Sequence, residues 1–242
     1  MTVRQKDILK SLSLTDPSVF DAFSSALHTA LRDLARDPAV MGFKSVVCYR
    51  TGLNISANSG DVSGIQKSIS TTISSWKQEA GGSDVLRLAE KALNDFVVCT
   101  ALSIAAEFNK PGECSLVLPH GRSASERKVT SVPVQFHTGL GDTDINLTLS
   151  SPAHMQPIIE AYPDSVFVLL HGSYPYSRDA GYLASMYRNV YVDFGEVFPV
   201  ISRHGQSAVV RQLLEMTPTN KIMWSSRSWC IPTLGVPSLM TP

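Results

Sequence analysis

Two stretches, PVQFHTGLGDTDINL (133–147) and FVLLHGSYPYSRDAGYLASMYRNVYVDFGEVFP (167–199), decide the fold. Each opens on a short run of β-forming residues that closes on a histidine, His137 in one and His171 in the other. Residues 166–171 are continuously apolar, the signature of a strand buried on both faces of a parallel sheet. Working outward, the sequence predicts strands at 133–137, 166–171, 190–194 and 221–225, and helices at 154–162, 178–188 and 205–216. Strand–helix alternation of this kind means a parallel α/β sheet. Upstream, residues 43–49 form a β-rich run that ends in Arg50-Thr51-Gly52, which makes five strands. Asp16-Pro17 is a helix start, followed by an apolar face at Phe20, Phe23, Leu27, Leu31 and Leu34. Residues 61–78 read as a helix, and 85–108 as a long one.

The chain has 242 residues, enough for one large domain, since α/β barrels run to about 250 residues. Its charged fraction of 17% is low against a usual value of about 25% and favours elements buried on both sides. Net charge is zero and no Lys/Arg-rich run stands out, so nucleic acid and anionic membranes are not expected partners. Cys48, Cys99, Cys114 and Cys230 show neither a zinc-knuckle nor a disulfide spacing; the first two read as buried free thiols. The polar N-terminal residues hold no signal-peptide core, and no apolar stretch reaches the roughly 20 residues of a membrane span. A cytoplasmic setting is the expectation.

In a parallel α/β sheet, catalytic groups gather at the carboxyl ends of the strands. His137 and His171 hold equivalent positions at adjacent strand ends, where two imidazoles can converge on one centre, as metal ligands do in barrels. Each alone would read as a hydrogen-bonded structural histidine; the two in register favour function. Arg50, at the end of the first strand, could hold a substrate carboxylate or close a loop salt bridge. Asp142, like Asp144, could bind substrate or serve ordinary loop chemistry. Glu196 could brace the site from behind or cap a helix. Lys44 could serve as a carbamylated metal bridge, but it lies at the amino end of its strand, on the face associated with stability, and is set aside. His28, His154 and His204 read as surface or cap residues, and His120 falls in an aberrant segment.

At these residues the chain resembles a known family. The runs 42–53 (GFKSVVCYRTGL), 133–147, 167–199 and 221–226 (KIMWSS) are similar, in order, to the amidohydrolase-related proteins of fungi and bacteria. The resemblance covers residues 16–111 and 132–226. It implies a (β/α)8 TIM-type barrel, a divalent metal (usually zinc), a small-molecule substrate and hydrolysis of a C–N, amide-type bond, with a link to fungal development or secondary metabolism. Within it, His137 matches a metal ligand and His171 the histidine that orients or activates water. The five strands match the last five of eight, so an open, partial barrel is expected, with uncovered edges that a partner chain could pair. The family's His-x-His pair has no counterpart here. Trp224-Ser225-Ser226-Arg227 places Arg where the family's last-strand motif has Asp, so metal binding and hydrolysis are expected to be impaired. A non-enzymatic, regulatory half-barrel and a decarboxylase on the same scaffold are the rival readings.

The domain reading is therefore an incomplete barrel over 1–226, an aberrant insertion at 112–131 and an irregular tail at 227–242. Gly112-Glu113-Cys114 can be encoded by GGTGAGTGC, which contains a splice-donor sequence, and removal of 112–131 would join Pro111 to Val132 by a short link. A retained intron is the expected origin of the insertion, and a misread junction or frame change that of the tail. Sequencing the spliced transcript should show the codons for 112–131 missing; a mature transcript that keeps them rejects this reading.

Overall fold

The structure, a computed structural model, describes residues 19–57, 61–79, 88–108 and 132–225. The helix start at Asp16-Pro17, the 112–131 segment and the 227–242 tail lie outside the described residues. Five strands form one sheet: β1 (Phe43–Ser45), β2 (Val134–Phe136), β3 (Phe167–Leu169), β4 (Val190–Asp193) and β5 (Ile222–Met223). Their order is β1-β2-β3-β4-β5 and every neighbouring pair is parallel. Each strand lies beside its predecessor in the chain, so the winding never reverses. A doubly wound sheet reverses at a switch point; a barrel does not. The expected α/β partial barrel is thus what the chain forms, an arc of five strand units.

Packing explains which residues build the arc. Val134 and Phe136 are buried while Gln135 between them is exposed, so β2 sends alternate side chains to opposite faces. Phe136 is fully buried and stacks on Phe167 of β3 at 5.7 Å between ring centroids. Helices α4 (Gln156–Ala161), α5 (Ser177–Met186) and α6 (Arg203–Leu214) belong to this half of the chain. Ile158, Ile159, Leu183, Val209 and Leu213 from them join the core that holds the strand side chains. On the other face the sheet lines an open cleft of about 1140 Å³.

Helix α1 (Val19–Arg36) precedes β1, and α2 (Val62–Glu79) and α3 (Lys91–Glu107) lie between β1 and β2, where a plain barrel has one crossover helix; the three form a helical layer. Val19, Phe23, Leu27, Leu31 and Ala35 recur every four residues and meet Ile65, Ile69 and Ile73 of α2 in a second core. Helix α3 is apolar around most of its girth because it serves both cores. Leu93, Val97 and Ile104 face the helical layer, and Val98, Leu102 and Ala105 the barrel arc.

Two boundaries differ from the sequence reading. The long helix expected over 85–108 begins at Lys91: Glu90 is extended (φ −81°, ψ 118°), and the Asn94 side chain donates to the Leu88 carbonyl, fixing a non-helical lead-in. The first strand ends at Ser45 rather than near Arg50. Ser45 Oγ accepts from Val47 N–H at 3.3 Å and the chain turns through a 3₁₀ helix, Val47–Tyr49. Cys48 and Cys99 are buried free thiols, as expected. Among the described residues, no helix is long and apolar enough to cross a membrane.

Two outcomes follow. Phe136→Ala should lower the unfolding free energy by about 3–5 kcal/mol in urea titrations, the cost of an aromatic-sized cavity. Burial pushes the Cys48 thiol up to about 12, and the thiolate is the reactive form. Iodoacetamide at pH 8 should leave Cys48 unmodified in the native chain and label it in urea, as read by peptide mass spectrometry.

Candidate active site

The two histidines sit where strands give way to turns. His137 follows β2, and its N–H still donates to the Ser45 carbonyl at 3.1 Å, which continues the β1–β2 ladder by one residue. His171 comes two residues after β3 and begins a tight turn, 171–173, in which three consecutive residues have positive φ: His171 at 64°, Gly172 at 55° and Ser173 at 51°. Left-handed backbone at a residue with a Cβ costs about 1–2 kcal/mol. The surroundings enforce it here. Thr138 Oγ1 donates to the Leu170 carbonyl at 2.8 Å and lies 2.7 Å from Ser173 Oγ, with both hydroxyl-bearing residues fully buried. Gly139 (φ 66°) lets the two loops touch, since a Cβ there would stand 2.2 Å from the Tyr174 carbonyl oxygen.

This bracing brings the imidazoles together. His171 Nε2 lies 2.9 Å from His137 Nδ1, and both side chains are buried. Tyr49, whose role the sequence reading missed, packs its ring 4.4 Å from that of His137, and its hydroxyl meets the Asp142 backbone N–H. The outward nitrogens face acceptors. His137 Nε2 is 2.5 Å from the Leu140 carbonyl, and His171 Nδ1 is 3.2 Å from Glu196 Oε2. A carbonyl can only accept, and so can an ionised carboxylate. The Leu140 carbonyl draws the His137 ring proton to Nε2, so His137 Nδ1 presents a lone pair toward His171 Nε2, 2.9 Å away; a His171 proton on Nε2 joins the rings by a direct hydrogen bond, and one on Nδ1 sets two lone pairs face to face. A cation between them, a proton or a metal, relieves that repulsion.

Burial disfavours the proton. It is the largest cause holding His171 down at about 4, with the positive charge of Lys44 adding to it and a backbone hydrogen bond to Gly195 opposing. Burial likewise brings His137 to about 4, helped by the charges of His171 and Lys44 and opposed by the Leu140 hydrogen bond. A metal ion meets the same geometry without that penalty on protonation. Two nitrogens bound to one zinc at about 2.0–2.1 Å lie about 2.9 Å apart at a right angle and about 3.4 Å apart at the tetrahedral angle. The observed spacing of 2.9 Å is that of a direct ring–ring hydrogen bond, and the rings would part by about 0.5 Å to share a tetrahedral zinc. Among the described residues, however, no group of three His, Cys, Asp or Glu is placed to hold a metal ion.

The other candidates are spread around the cleft. Glu196, itself at positive φ (67°), touches His171 directly. Asp193, at the end of β4, accepts from the Ser225 N–H and hydroxyl, each at 2.8 Å; burial nonetheless pushes its carboxyl above the usual range. Arg50 lines the cleft and pairs with Asp144 at 3.8 Å, while Asp142 is exposed on its loop. His154 is half-buried, with Nε2 against the Thr148 carbonyl. Lys44 is a correction. Setting it aside as a stability-face residue fails because β1 is only three residues long, so Lys44 lies close to the carboxyl end and lines the same cleft as His171, Asp193 and Glu196.

Comparison with known proteins finds likenesses for this barrel arc. Residues 128–227 match the amidohydrolase family model. That segment contains His137, Asp142, His171 and Glu196; Lys44 and Arg50 lie upstream of it. Over 212 residues the chain is 42% identical to protein FluG of Emericella nidulans, covering 86% of this chain and 22% of FluG. In structure it is similar to a Lactobacillus casei protein classed as a metal-dependent hydrolase, with a TM-score of 0.65 and 26% identity over 92% of this chain and 49% of that one. The chain thus spans about a fifth of the length of the curated relative it matches.

Gly139→Ala should separate the two loops. We expect a loss of at least about 2 kcal/mol in stability from the left-handed backbone and the clash together, with changed His171 imidazole signals in NMR spectra. A variant of unchanged stability and unchanged signals would contradict the bracing described.

Proposed function

We propose that this chain carries part of a metal-dependent amidohydrolase active site, acting on a C–N, amide-type bond of a small molecule, in which His137 and His171 supply imidazole donors to one divalent ion, zinc by preference. The observation that carries the reading is the approach of His137 Nδ1 and His171 Nε2 to 2.9 Å at adjacent strand ends, with the Leu140 carbonyl on the far side of the first ring and Glu196 beside the second. The L. casei neighbour, classed as metal-dependent, supports it. When bound, such an ion supplies Lewis acidity, which favours attack of water on a carbonyl.

The chain's own residues do the rest. The Leu140 carbonyl and Glu196 orient the two rings and keep their donor atoms pointed inward, the usual part of outer partners at a metal-binding histidine. The Tyr49 ring shields His137 from water. Arg50 and the Asp142 loop orient the substrate. Two imidazoles are fewer than the three or four ligands that hold zinc tightly, and Arg227, outside the described residues, occupies the place the resemblance gives to an Asp. We therefore read this chain as a weak metal binder with impaired hydrolysis. The segments 112–131 and 227–242 belong to this proposal as foreign to the barrel.

A second reading rests on a separate observation. Among the described residues β1 and β5 are each paired on one side only, and Trp224 beside β5 is 69% exposed. A half-barrel of this kind would act without catalysis by joining another chain, and light scattering on a size-exclusion column would then show a species heavier than 26.3 kDa.

Cobalt(II) titration followed by visible absorption tests the first reading. One weakly bound ion is expected, with His137→Ala and His171→Ala each abolishing the signal and Glu196→Gln weakening binding about tenfold. Cobalt binding that both alanine variants retain would reject it, and turnover of an amide by stoichiometrically loaded protein would reject the impairment.

A further inference from the structure

Tyr49 closes the 3₁₀ turn Val47–Tyr49, where its N–H donates to the Val46 carbonyl at 3.0 Å. Its half-buried ring lies 4.4 Å from that of His137, tilted by 49°. The phenol oxygen reaches past that ring and accepts from the Asp142 N–H. Gly141 makes room for it, since a Cβ there would stand 2.7 Å from the hydroxyl oxygen and 2.9 Å from the ring carbon that bears it. Leu140 comes just before, and its carbonyl lies 2.5 Å from His137 Nε2. The loop is thus gripped in succession. The Gly139 N–H donates to the Ser150 carbonyl at 2.8 Å, the Leu140 carbonyl meets His137, and the Asp142 N–H meets Tyr49.

The peptide units on either side of Gly141 explain what the hydroxyl adds. One carries the Leu140 carbonyl and the other the Asp142 N–H; each is planar, and they turn against each other about the Gly141 Cα. Glycine resists that turning less than any other residue. A grip on the second unit therefore limits how far the first can swing away from His137. Arg50 reaches the same loop at Asp144, but at 3.8 Å and two residues further on. We propose that Tyr49 is a positioning residue: its hydroxyl, by holding the Asp142 N–H, keeps the Leu140 carbonyl on His137 Nε2 and the Nδ1 lone pair toward His171. Its value for function rests on reading His137 as a metal donor, because the partner of one ring nitrogen decides which nitrogen a metal meets. A ring that merely filled space against His137 would do as well without its oxygen.

The test uses the full chain, with cobalt(II) as the metal probe, and Tyr49→Phe, which keeps the ring and removes the hydroxyl. Asp142 is exposed, so water replaces the lost partner and the urea midpoint should hardly move. In long-range ¹H–¹⁵N spectra at neutral pH the parent should show His137 protonated on Nε2, with that proton slow to exchange with water. In Tyr49→Phe the proton should exchange faster and an Nδ1-protonated form should appear. Cobalt affinity should fall about threefold to tenfold, at or below the low end of what losing an outer partner outright costs. Gly141→Ala, which keeps the hydroxyl but displaces it, should change the His137 signals in the same direction. Unchanged His137 signals in Tyr49→Phe, or cobalt affinity equal to that of a cobalt-binding parent, would overturn the proposal. A parent that binds no cobalt removes the metal reading instead; an altered Nε2 proton in Tyr49→Phe then upholds the grip of Tyr49 on His137 by itself.

Discussion

The meeting of His171 Nε2 with His137 Nδ1, 2.9 Å apart and buried, is the constraint on which the rest of the structure depends. The Leu140 carbonyl draws the His137 ring proton outward, and Glu196 Oε2 stands 3.2 Å from His171 Nδ1. Lone pairs 2.9 Å apart repel, and burial makes the relieving proton costly. The fold maintains this arrangement with left-handed backbone at His171, Ser173 and Glu196, the described non-glycine residues with positive φ. Strain gathered at one place, and held by the buried Thr138–Ser173 contact, is what a preorganised site looks like.

Parallel winding is what makes the meeting possible. Because β2 and β3 are neighbours in chain and in space, residues one position past each strand or nearly so arrive at the same edge. The helical layer around Phe23, Leu27 and Leu93 extends the core on the β1 side, so a sheet of very short strands is still backed by two packed clusters. The cleft therefore has a rigid floor, which a loop-built site would lack.

Much of this was legible in the residues. Apolar runs ending in His137 and His171, alternating with helical stretches, fixed the parallel order of strands, and rings at equivalent strand ends were bound to converge. Other features were not. The outer acceptor of His137 is a backbone carbonyl, which no residue type announces. Tyr49 reached the site only because the chain turns sharply after Ser45, a bend that the β-rich run 43–49 concealed. Lys44 was misjudged for the same reason, since its distance from the carboxyl end depends on where the strand stops. The start of α3 was placed too early because apolar periodicity continues through Leu88, while a side-chain bond from Asn94 to the Leu88 carbonyl decides against helix there.

The most direct measurement is a long-range ¹H–¹⁵N correlation spectrum of histidine-labelled chain with one equivalent of zinc. The account expects His137 as the Nε2–H tautomer and His171 as the Nδ1–H tautomer, with both inward nitrogens unprotonated and shifted together by the ion. A spectrum in which His171 keeps its proton on Nε2, unaffected by zinc, would mean that the two rings simply hydrogen-bond to each other, and would contradict it.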